Sequence, residues 1–323
     1  MTTTMTTATS NQERTTDIRS IPPSSSSARL LDRNTILWWA TLSLISLVNI
    51  CVWVYSYRAL IPSGSVTSND DDRPHHVYQR YHLFLSGIYV FVCAYRSFLP
   101  RIDLERYCLW DTPLSSIFLG RLSATIAEVC FACQIALFLR RLGTVHEHPY
   151  SVLLSLLLVP AISIAQIFCW CGVVTLNHGY HAMEESIWAI CALFVGLELG
   201  SLVIFHPDKS SLFVLGTCGS LGCFAFVYFM VTVDVPMYVR RWREGRGGGG
   251  KAMAEGMDGS SGKTTRPVLL RRMTTLEGGM DAIQRRVVTK SWHIWKEETM
   301  WLTGYFSSAV WVSLFLIHLP VPA

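Results

Sequence analysis

Thr175-Leu-Asn-His-Gly-Tyr-His-Ala-Met-Glu-Glu-Ser-Ile-Trp188 is the stretch on which the fold turns, because it joins two long apolar runs, Tyr150–Val174 and Glu185–Phe205. Continued as a helix, it sets Asn177, His181, Glu184, Trp188, Cys191, Val195 and Glu198 three or four residues apart, on one face. That face starts among polar residues and runs deep into an apolar segment. A polar line inside hydrocarbon is costly unless it meets partners or water. The stretch therefore predicts a membrane protein with a polar interior.

The whole chain agrees. Half of its 323 residues are hydrophobic and 15% are charged, too little charge to cover a soluble protein of this length. Mean hydropathy is +0.33, and the apolar residues fall in blocks long enough to cross about 30 Å of hydrocarbon. The expected class is all-α: a polytopic membrane protein with seven transmembrane helices in one bundle. The spans are Ile36–Tyr57, His82–Leu99, Pro113–Leu139, Tyr150–Val174, Glu185–Phe205, Ser211–Val233 and Met300–Leu319. Trp38, Trp39, Tyr55 and Tyr57 anchor the ends of the first, and Pro160 predicts a kink in the fourth. Gly216, Gly219, Ser220 and Gly222 suit the sixth to close packing, and Asp234-Val-Pro236 is expected to stop it.

Around this frame, residues 1–34 read as a disordered Ser/Thr-rich tail; Glu13, Asp17 and Asp32 argue against a transit peptide. Residues 35–239 form the six-helix part of the membrane domain. Residues 240–278 form a flexible basic loop with the run Gly247–Gly250, and 279–323 hold an interfacial segment followed by the seventh span. Asn69–Asp72 with His75 and His76 read as a solvated acidic loop. No strand precedes the glycine run or Gly262-Lys263-Thr264, so neither is a phosphate loop.

The net charge of +4 is small and concentrated in one loop, which excludes nucleic acid as a partner and makes the charge a topology signal. With seven spans, 19 of the 27 Lys and Arg fall on the side of the N-terminal tail and six on the other. The N-terminus is expected in the cytoplasm, the C-terminus across the membrane. Nine of the ten cysteines lie in apolar runs and read as packing residues rather than disulfides. Cys169 and Cys171, two apart, make a poor metal pair; Cys130 and Cys133 share a face but have no second pair beside them.

In that orientation the polar residues converge on the cytoplasmic half. Arg96 ends span two, and Arg121 and Glu128 lie seven apart in span three. Gln166 and Trp170 close span four, the His–Glu cluster follows, and Glu298 lies at the entry to span seven. Arg96, Arg121, Glu128, Gln166, Trp170 and Glu198 are the candidate substrate-binding residues. His178, His181, Glu184, Glu185 and Glu298 are the candidate catalytic residues.

The spacing of His178, His181 and Glu185 on successive turns would suit a divalent metal ion, with Glu184 or Glu298 as general base and His293 with Glu297 as a second ligand pair. A His–carboxylate pair without metal would serve proton transfer equally well. These residues predict an enzyme or binding protein that takes a lipid-soluble small molecule from the bilayer. A proton- or ion-coupled transporter titrating at Glu128 and Glu198 is the alternative. A structural network that only fixes helix packing is the bland one. A receptor-like role comes third, and the last span offers no lysine for a retinal-binding version of it.

Overall fold

Apolar runs of this length can bury their backbone polar groups only by closing into helices, and helices are what they form. The computed structural model describes residues 32–60, 73–205, 210–251, 273–284 and 287–319. Five helices lead: α1 (Arg33–Leu60), α2 (Arg73–Phe98), α3 (Ile117–Val145), α4 (Pro149–Thr175) and α5 (His178–Phe205). α6 (Ser210–Phe229) passes through a π-helical turn, Met230–Asp234, into α7 (Val235–Lys251). α8 (Thr275–Gln284), α9 (Trp292–Gly304) and α10 (Val310–His318) complete the set, the last two joined by a second π turn at Tyr305–Ala309.

Six helical segments are long and apolar enough to cross a membrane: Arg33–Leu60, Ile117–Val145, Pro149–Thr175, His178–Phe205, Leu212–Glu244 and Trp292–His318. The protein is thus a multi-pass, all-helical integral membrane protein. α2 is not among the six. Its 26 residues are long enough, but Arg80, His82 and Arg96 dilute its apolar content.

The connections explain the packing. Two- and three-residue turns join α4 to α5 and α3 to α4, so these helices run up and down as neighbours. The chain's last helix closes the bundle against α1, α2 and α3. There Asn49 Nδ2 donates to Phe306 O at 3.1 Å and Gln134 Nε2 donates to His82 O at 3.1 Å; Ser313 Oγ donates to Gln134 Oε1 at 2.6 Å. Trp38 and Trp295, both buried, pack with ring centroids 5.5 Å apart. Large apolar side chains such as Leu44, Leu156, Ile190, Phe194 and Leu221 face outward, where a bilayer would receive them.

Three local expectations are corrected. Pro236 does not stop the sixth helix. The wide π turn before it relieves the clash between a proline ring and the carbonyl four residues back, and the helix continues. The segment read as a basic loop from residue 240 is helical to Lys251. The interfacial segment is not one surface helix: α8 ends at Gln284, and Val287–Val288 forms a strand. That strand, β3, pairs in parallel with β2 (Tyr107–Cys108), which is antiparallel to β1 (Arg101–Ile102). Three two-residue strands thus sit within an otherwise all-helical chain. The N-terminal tail before residue 32, the Asn69–Asp72 loop and the stretch 252–272 lie outside the described residues.

Candidate functional site

The three strands and α8 cover one end of the bundle, the end that also carries the α4–α5 turn. Leu176 ends α4 with a positive φ of 54°, its N–H returning to Gly172 O. Asn177 then caps α5: its Oδ1 accepts from Gly179 N at 3.1 Å. With the cap in place, α5 starts at His178, so Gly179 and Tyr180 do not break it. His181 and Glu184, three residues apart, point inward and are buried, whereas Met183 is exposed.

Two adjoining groups of polar side chains occupy the interior below this end. At 1.5 Å per residue, Arg121, Glu128, Gln166, Cys169, His181 and Glu184 all lie about 5–17 Å from their helices' ends. In the first group, Arg121 Nη2 donates to Glu128 Oε1 at 2.8 Å and to Gln166 Oε1 at 2.9 Å. Gln166 Nε2 donates to Glu128 Oε2 at 2.5 Å, closing a ring of three side chains from α3 and α4. One turn further along α4, Trp170 Nε1 donates to Thr125 Oγ1 at 3.0 Å, holding the same two helices. Arg121 Nε is buried without a hydrogen-bond partner among the described residues.

The second group is less complete. His181 Nδ1 lies 2.7 Å from Glu184 Oε2 and 3.8 Å from Cys169 Sγ. The ligand-type atoms of Cys169, His181 and Glu184 all fall within 4.8 Å of one another, and all three residues are buried. His181 Nε2 has no hydrogen-bond partner among the described residues. The imidazole fits because Gly172 faces it: a β-carbon there would meet His181 Cδ2 at 2.8 Å. Tyr238 of α7 stacks on the ring with centroids 5.4 Å apart. Asp234, on the preceding π turn, is buried, and its Oδ2 has no hydrogen-bond partner among the described residues.

Other predicted residues go elsewhere. His178 stacks on Tyr238 at 6.2 Å. Glu185 is half-buried beside Glu184 and outside the Cys169 group, so the metal-type cluster is Cys169, His181 and Glu184, not His178, His181 and Glu185. One residue is 100° of helix, which is enough to exchange the two glutamates. Arg96 pairs with Asp103 at 3.6 Å and lies over the Phe306 ring at 5.9 Å. Glu198 stands near the opposite end of α5, where His148 Nδ1 lies 3.1 Å from its Oε1 and Ser151 Oγ donates to it. Fourteen residues of helix, about 21 Å, separate it from Glu184. Glu298 is half-buried, within the electrostatic reach of Glu105, Arg241 and Asp234. His293 is exposed and Glu297 turns toward Arg241 at 3.7 Å, so they form no second ligand pair.

Three contributors escape the sequence reading. Cys169 makes no metal pair with Cys171 on spacing, yet it stands three residues from Gln166 and so shares its face. Asp234 reads in sequence only as part of a helix stop. Arg106 reads as a loop residue, but its side chain is fully buried, paired with Asp281 at 3.0 Å and donating to Val173 O at 2.9 Å and Gly278 O at 3.3 Å. It pins α8 over the end of α4. Beside it Arg241 holds Glu105 at 3.1 Å, while burial pushes the Glu105 carboxyl above its ordinary value against that pull. Arg101 donates to Ser116 O at 2.7 Å; burial lowers its guanidinium from its ordinary value, and Arg96 beside it adds to the effect.

The chain matches no family model, no curated protein and no solved structure.

Proposed function

We propose that this protein crosses the membrane seven times with its N-terminus in the cytoplasm, and that the His181–Glu184–Cys169 cluster binds and acts on a small molecule drawn from the cytoplasmic leaflet. α2 counts as a span on this reading: it packs between α1 and α3, and Gln134 and Ser313 engage its His82 carbonyl and Ser86 hydroxyl. The excess of Lys and Arg on the side of the α4–α5 turn supports the orientation.

The observation that carries the reading is the state of His181. Glu184 fixes one of its ring nitrogens while the other is buried without a partner among the described residues. Leaving such an atom unpaired costs about 1–3 kcal/mol, a cost that a bound ligand would offset. A purely structural role fits the Arg121–Glu128–Gln166 ring, whose groups pair with one another. It does not account for His181. Transport through Glu128 and Glu198 is disfavoured because Glu198 is held by His148 and Ser151 near the far end.

The test is extraction and mass spectrometry of the protein purified in mild detergent. A membrane-soluble species should be enriched with the wild type and with Glu198→Gln, and depleted at least about tenfold in His181→Gln, the factor that about 1.4 kcal/mol of binding represents. Equal recovery from wild type and His181→Gln, at equal folded yield, refutes the proposal.

A further inference from the structure

We infer that Cys169, His181 and Glu184 hold a zinc ion, an inference that rests on the binding-site reading above and names what that site holds. The donor set is one thiol, one imidazole and one carboxylate, brought together from α4 and α5. Zinc is the ion such a mixture suits, since soft sulfur disfavours magnesium or calcium and nitrogen with oxygen suits a borderline cation.

Distances and charge both fit. In a tetrahedral zinc site with ordinary bond lengths, sulfur and nitrogen ligands stand about 3.5 Å apart and nitrogen and oxygen about 3.3 Å. Here sulfur and nitrogen are 3.8 Å apart and nitrogen and oxygen 2.7 Å, so a shift of about half an ångström by the Glu184 carboxylate brings that pair to the tetrahedral spacing, and sulfur and oxygen lie within 4.8 Å. Arg121 is already matched by Glu128 as an ion pair. One zinc ion, the Cys169 thiolate and the Glu184 carboxylate then sum to zero, which a low-dielectric interior requires. On binding, Cys169 releases its proton, and His181 coordinates through Nδ1 with its own proton on Nε2. Nε2 then carries the proton and stays open to an acceptor on the small molecule.

Three protein ligands leave a fourth position. Structural zinc sites are closed by four side chains, whereas sites with three keep a place for water or a substrate oxygen. The cluster is of the second kind, so the small molecule of the preceding section is one with an oxygen to offer, an acyl or hydroxyl compound. The zinc would polarise that oxygen or activate a water beside it.

The experiment is metal analysis of the full chain purified in detergent without chelator, then replacement of the metal by cobalt and visible spectroscopy. About one zinc per chain is expected for wild type and for Glu198→Gln. Cys169→Ala and Glu184→Gln should each bind zinc at least about tenfold more weakly, the least that even an outer-shell partner costs. Cobalt should give intense visible bands with a sulfur-to-cobalt absorption that Cys169→Ala abolishes. Size-exclusion profiles establish that the variants are folded; if Cys169→Ala is not, Cys169→Ser replaces it and the lost sulfur absorption remains the readout. Wild-type protein with substoichiometric zinc and no cobalt spectrum overturns the inference, as does a Cys169→Ala spectrum identical to wild type. If zinc is absent but a small molecule still leaves with His181→Gln, the ion falls and the binding reading stands. Stoichiometric zinc with no co-purifying species upholds the ion and removes the small molecule.

Discussion

The ring of Arg121, Glu128 and Gln166 predicts a non-additive pair of substitutions. Arg121→Met leaves the Glu128 carboxylate buried with only Gln166 to answer it; Glu128→Gln leaves the Arg121 guanidinium in the same position. Breaking a buried pair from one side costs about 3–5 kcal/mol, because an uncompensated charge stays behind. Were the two effects independent, the double variant would lose about 6–10 kcal/mol, enough to unfold most domains. It should instead lose no more than either single variant. It contains no charge to strand, and the new amide at position 128 can still exchange a hydrogen bond with Gln166. The expected coupling is about 3 kcal/mol, at the top of the range for contacting residues. Unfolding in mixed detergent micelles, followed by the fluorescence of the 11 tryptophans, measures all three variants against wild type. A double variant destabilised by the sum of the singles would mean that the ring does not exist as a unit.

Three more outcomes follow from particular contacts. Gly172→Ala puts a β-carbon 2.8 Å from His181 Cδ2, so the imidazole must move; metal or small-molecule recovery should fall about tenfold or more, with folded yield near wild type. Gly278→Ala drives a methyl into the Val174 carbonyl, a backbone atom that cannot yield, and should cost about 1–3 kcal/mol, read as faster hydrogen exchange in 273–284. For Glu105, whose folded carboxyl is raised, the folded state holds a proton that the unfolded state has released. Stability is therefore present below the ordinary carboxylate value and is lost as pH climbs through the raised one; Glu105→Gln should flatten that step in a stability–pH profile.

The helices are legible in the sequence because backbone in hydrocarbon has few options, and runs such as Tyr150–Val174 leave no room for another reading. Arg121 and Glu128 are legible too, since seven residues is close to two turns. What the pattern does not resolve is anything smaller than a helical step. Glu184 and Glu185 are equally polar, and which of them turns inward depends on the Asn177 cap and on the space that Gly172 leaves for His181. Two-residue strands have no period to detect, so β1 to β3 stay hidden. Pro236 reads as a stop because a π turn leaves no mark in composition.

The convergence of polar residues on one end is also legible, but its division is not. Arg96, Arg121, Glu128 and Glu198 sum to zero charge, as one common pool would. The side chains instead close into separate pairs. Arg96 turns to Asp103, Glu198 to His148 and Ser151, and Arg121 to Glu128. After those pairings the cluster of Cys169, His181 and Glu184 retains a buried ring nitrogen that no side chain among the described residues answers. Had Glu198 reached Arg121, the ring could have served a moving ion. Held near the other end by His148 and Ser151, Glu198 is no partner to the ring. The chemistry is therefore to be sought where Cys169, His181 and Glu184 converge and His181 Nε2 has no partner among the described residues, beneath the lid that Arg106 fastens to α4.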